Sequence, residues 1–68
     1  MSNRNKSYGQ MILKHLAQQG IPLRMVAERL GSDEHVFLLT CLGGLTINQD
    51  RKIWGVIDKI ESELNPLF

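Results

Sequence analysis

Cys41 is the only cysteine in a chain of 68 residues, and a short chain with a lone thiol has few ways to hold itself together. A domain of this size buries only about 60% of its unfolded surface. Such chains usually lean on a disulfide, a bound metal or a second copy of themselves. One cysteine excludes an intramolecular disulfide. His15, His35 and Cys41 fall short of the four ligands that a structural zinc site takes, so neither a metal nor a cofactor is expected. Self-association is the staple left, and a homodimer is the expectation. Length also excludes two domains, a repeat array and an enzyme built around a deep cleft. With no apolar run of membrane-spanning length and no signal-peptide pattern, neither a membrane nor export is expected. A reducing cytoplasm suits the free thiol.

Glycine and proline divide the chain at Gly20-Ile21-Pro22, Gly31-Ser32-Asp33, Gly43-Gly44 and Asn65-Pro66. Between these breaks the apolar residues keep helical spacing. Tyr8, Ile12 and Leu16, with Leu13 and Ala17 beside them, predict one buried stripe that ends at Gly20. Pro22 suits the first turn of a second helix running to about Leu30, with Val26, Ala27 and Leu30 inward. Ser32 or Asp33 can cap a third helix that ends at Gly43-Gly44. Thr46 and Gln49 make a capping-box pattern. After it, Ile53, Ile57, Ile60 and Leu64 recur at intervals of 4, 3 and 4. The fold expected is all-α: a small bundle of four helices over residues 8–64, with a polar arm at 1–7 and a tail at 65–68.

The net charge of +1 hides an asymmetry. Residues 1–30 carry Arg4, Lys6, Lys14, Arg24 and Arg29 against Glu28, a net of +4, and residues 31–68 carry a net of −3. The first half can meet an anion such as a phosphate backbone; a scatter of solvated charges reads equally well.

The stretch Gly20-Ile21-Pro22-Leu23-Arg24-Met25-Val26-Ala27-Glu28-Arg29-Leu30-Gly31 resembles the first half of the helix-turn-helix in the phage-repressor-like family of bacterial and phage regulators. Val26-Ala27 stands where that family packs its first helix against a neighbour, and Leu30-Gly31 where it turns. Gly43-Gly44 and the helix after Thr46 match the family layout, so the resemblance covers roughly residues 10–64. It implies a dimeric transcriptional regulator with one copy on each half-site of duplex DNA. Arg4, Lys6, Arg24 and Arg29 would then touch phosphates, and Ser32 and His35 would read bases.

The third helix departs from the family. It reads Ser32-Asp33-Glu34-His35-Val36-Phe37-Leu38-Leu39-Thr40-Cys41-Leu42, with no lysine or arginine. Asp33 and Glu34 repel phosphate, although a carboxylate can accept from a cytosine amine. If Phe37 and Cys41 pack inward, Leu38 and Leu39 face the DNA side; a helix rotated by one residue would bury them instead. Leu23 stands where the family has a polar phosphate contact. An exposed apolar face suits a protein partner. The alternative function is therefore an inhibitor or antirepressor that binds a regulatory protein through Leu23, Leu38 and Leu39. Trp54, Ile57, Ile60 and Leu64 supply core or dimer contacts, with Trp54 either an interface anchor or a cover over the first helix.

Catalysis finds no constellation. Cys41 lies in an apolar helix, where a thiol behaves as a small hydrophobe. His15 reads as a surface residue, and Asp58, Glu61 and Glu63 as a solvated face. Gly43-Gly44 lacks the Lys-Ser/Thr of a phosphate loop. Neither an enzyme nor a small-molecule substrate is expected.

Overall fold

The periodic segments become helices between the glycine breaks. The computed structural model, which describes residues 3–64, contains α1 (Lys6–Gln19), α2 (Leu23–Arg29), α3 (Glu34–Gly43) and α4 (Ile47–Leu64). The chain is all-α, and among the described residues strand pairing is confined to one antiparallel bridge between Asn5 and Leu45.

Local chemistry explains each helix end. Gly20 closes α1 with φ 68°. The Ile21 N–H donates to the Leu16 carbonyl at 2.9 Å and the Gly20 N–H to that of Ala17 at 3.3 Å. That is a Schellman closure, completed by the burial of both Leu16 and Ile21. Gly31, with φ 75°, repeats it after α2: Ser32 N–H donates to Ala27 at 2.9 Å and Gly31 N–H to Glu28 at 3.1 Å. Of the two candidate caps for α3, Asp33 is the one used, and its carboxylate accepts from the Val36 N–H at 2.8 Å. Thr46 and Gln49 form the expected capping box, each side chain holding the other's backbone N–H at 3.2 and 2.9 Å. Pro22 differs from expectation. It is extended and immediately precedes α2, where no N–H is required of it.

The expected arm is shorter than its assigned span. Lys6 and Ser7 already belong to α1, and Asn5 caps that helix by accepting from the Ser7 N–H at 2.9 Å. Asn5 also exchanges backbone hydrogen bonds with Leu45, at 2.8 and 3.1 Å, and so ties the N-terminal segment to the α3–α4 connection. Periodicity carries no sign of such a pairing. The expected tail at 65–68 and its Asn65-Pro66 stop lie outside the described residues.

One core unites the helices. Ile12, Leu16, Ile21, Val26, Ala27, Phe37, Cys41, Leu45, Ile53, Ile57 and Ile60 form a single buried cluster. Phe37 and Cys41 point inward, so α3 is not rotated from the expected register. Ala17 and Leu64 are exposed, so the α1 stripe and the α4 seam are each one residue narrower than predicted. Gly9, absent from the predicted stripe, is buried where α1 crosses α3. A β-carbon there would lie 1.9 Å from the Cys41 carbonyl oxygen. The two backbones touch, and only glycine permits it.

Candidate interaction surface

Because Phe37 and Cys41 fill the inward side of α3, its other apolar residues face out. Val36, Leu39 and Leu42 are 49%, 54% and 52% exposed and follow one another at three-residue spacing. Of the two expected placements of Leu38 and Leu39, Leu39 takes the outward one, while Leu38 is half-buried beside it. Val36 and Leu42 join this face without having been expected there, although the run 36–42, apolar at every position but Thr40, carries the signal: one small core cannot enclose all of it.

Beside this face, α2 and α3 enclose an open groove of about 590 Å³. Arg24, Glu28, Ser32, Asp33, Glu34, His35 and Leu38 line it. Three of the expected DNA contacts, Arg24, Ser32 and His35, do come together here, but among three carboxylates. Arg24 lies 4.0 Å from Glu28, both widely exposed, and among the described residues Glu34 forms no ion pair. The groove carries a surplus of negative charge at neutral pH.

The other expected phosphate contacts lie elsewhere. Arg29 forms a two-pronged hydrogen bond with Glu63 across α2 and α4, one arm at 2.9 Å. The carboxylate raises the arginine pKa, and the arginine hydrogen bond holds Glu63 below its ordinary value. Arg29 is thus a clasp between helices, and Glu63 is not merely solvated. Arg4 lies near Gly44, beyond the C-terminal end of α3, and Lys6 starts α1. His35 and Gly43 are the second and last residues of α3, so about 12 Å of helix separates that end from His35, with Ser32 farther still. The expected set of six is therefore dispersed.

The expected protein contacts are also redistributed. Ile57 and Ile60 are fully buried in the chain's own core and offer nothing to a second copy. Leu23 packs half-buried against that core. Leu64 is exposed, beside Met25, Arg29 and Glu63. Trp54 covers α1: its ring meets His15 edge-on at a centroid distance of 4.9 Å, and its Nε1–H donates to Asp50 at 3.1 Å. His15 is correspondingly not a free surface residue. Its Nε2 lies 3.0 Å from a Glu61 oxygen, which joins α1 to α4. Cys41 is fully buried and its thiol is pushed up to about 11 by desolvation, the environment of an inert core residue.

Among the described residues no group of three or more His, Cys, Asp or Glu could hold a metal ion, and no helix is long and apolar enough to cross a membrane. Comparisons with protein-family models, curated proteins and solved structures find no match for this chain. The resemblance to the repressor-like family therefore rests on the quoted residues alone.

Proposed function

We propose that this chain is a small regulator with a helix-turn-helix layout that binds another protein through the outer face of α3. The observation that carries this reading is the exposed row Val36, Leu39 and Leu42, on the helix that a repressor would place in the major groove. Apolar side chains there could touch only thymine methyl groups, whereas together they form the apolar centre that protein interfaces favour. The carboxylates beside the row point the same way, since Glu28, Asp33 and Glu34 oppose a phosphate backbone.

A capture experiment tests the reading. Wild type, Leu39→Gln and Leu42→Gln serve as baits in nuclease-treated lysate. A defined partner held by wild type and lost from both folded variants is the expected result. Equal capture by all three baits contradicts it.

A second reading, operator binding by a dimer, is favoured by a different edge of α3. Ser32, Thr40, Gln49 and Lys52 border a small hollow between the α2–α3 turn and α4, and a phosphate could accept from the lysine and the amide there. That reading requires the two copies to join through surfaces other than Ile57 and Ile60.

A further inference from the structure

We propose that the occupant of the α3 face is an amphipathic segment of another protein that carries lysine or arginine at one end of its apolar row. This rests on the protein-binding reading above and names the chemistry of the partner. The apolar row lies on α3, and the acidic groove beside it is bordered by the start of the same helix. Leu39 and Leu42 occupy its middle and end, while Asp33 and Glu34 stand at its start. Glu28 faces them across the groove from α2.

The three carboxylates are not equally available. Asp33 is engaged by the Val36 N–H, Glu28 is held only loosely by Arg24 at 4.0 Å, and Glu34 forms no ion pair among the described residues. Glu34, together with Glu28 where its long, exposed pair with Arg24 opens, is therefore the site that can receive a cation. Leu38 supplies the apolar part of the same groove lining. A long basic side chain suits that arrangement, because its methylene stem can lie along Leu38 while its charged head reaches the carboxylates. A carboxylate-bearing segment would meet repulsion at the same place. Towards the other end of α3 the negative charge is absent, since residues 35–43 include no carboxylate. The face thus has a direction: the basic end of the partner belongs over the α2–α3 groove and its apolar residues over Leu39 and Leu42.

A random peptide library displayed against the immobilised full chain tests this, followed by affinity measurements on one enriched peptide. Enrichment of sequences with lysine or arginine beside spaced apolar residues is expected. The Glu28→Gln/Glu34→Gln double variant should then bind the selected peptide about threefold to tenfold more weakly at low salt, with a flatter salt dependence. Leu39→Gln should lose it altogether. Enriched apolar peptides without a preference for cations, bound through Leu39 and indifferent to the double variant, would overturn the basic-partner inference and leave the apolar docking face standing. No enrichment above the bare support, or enrichment that survives Leu39→Gln, would overturn both. Light scattering in which wild type dimerises and Leu39→Gln is monomeric would assign the face to a second copy and likewise overturn the inference.

Discussion

Gly9 and Cys41 bring α1 and α3 into direct backbone contact: a β-carbon on Gly9 would stand 1.9 Å from the Cys41 carbonyl oxygen. Glycine inside a helix costs about 1 kcal/mol relative to alanine, so its presence at that crossing reflects a packing need. Gly9→Ala must separate the helices, and a loss of about 2 kcal/mol or more is expected despite the better helix former. Gly55 is the control. It lies in α4, and the space its β-carbon would occupy is open. Gly55→Ala should stabilise the chain by about 0.5–1 kcal/mol. Urea denaturation of the two variants checks the contrast, and similar effects of the same sign would refute it.

Cys41 should resist alkylation in the folded state. Burial pushes its thiol up to about 11, so only about one molecule in a thousand carries the thiolate at pH 8, and the sulfur is inaccessible besides. Mass spectrometry after iodoacetamide treatment should show modification only when denaturant is added. Prompt labelling of native protein would place Cys41 at the surface.

The Arg29–Glu63 clasp has a defined pH dependence. Glu63 is held below its ordinary pKa of 4.5, chiefly by the hydrogen bond from Arg29. A depressed carboxylate stabilises the fold above its unfolded pKa, and that contribution is lost as pH falls through the folded value. In a double-mutant cycle with Arg29→Ala and Glu63→Ala, coupling should therefore be present at pH 7 and absent in strong acid. Both partners are solvent-exposed, so the coupling at pH 7 is small. Coupling that grows on acidification would contradict the assignment.

Thr46→Ala should cost about 1 kcal/mol by removing the hydroxyl that accepts from the Gln49 N–H. Thr46→Ser should restore most of it. Thermal unfolding distinguishes this from a packing effect, which serine would not repair.

Much of this fold is legible in the sequence because its signals are local. Gly20 and Gly31 mark helix ends that need a positive φ, Thr46 and Gln49 specify a cap three residues apart, and the spacing of Ile53, Ile57 and Ile60 assigns them to one face. What escapes is the identity of neighbours across the fold. His15–Glu61 and Arg29–Glu63 join residues 46 and 34 positions apart, and no helical period pairs one helix with another. The same gap makes Arg29 read as a free cation and Ile57 and Ile60 read as surface for a second copy. On α3, the sequence leaves Leu38 and Leu39 either outward together or buried by a one-residue rotation, and packing decides for an exposed Leu39 beside a half-buried Leu38. Only the packed structure shows that Val36 and Leu42 stay uncovered with Leu39.

The most direct test of the central claim is fluorescence anisotropy of labelled random-sequence duplex DNA, titrated with the protein at low salt. Non-specific phosphate contacts dominate under those conditions, and a repressor-like protein binds with an affinity that falls steeply as salt is added. With Arg29 held by Glu63 and the α2–α3 groove rimmed by Glu28, Asp33 and Glu34, no rise in anisotropy is predicted up to concentrations of about 100 μM, the scale of ordinary non-specific binding. Micromolar binding that weakens with salt, and weakens further in Arg24→Ala or Lys52→Ala, would contradict the protein-binding account and restore DNA as the ligand of α3.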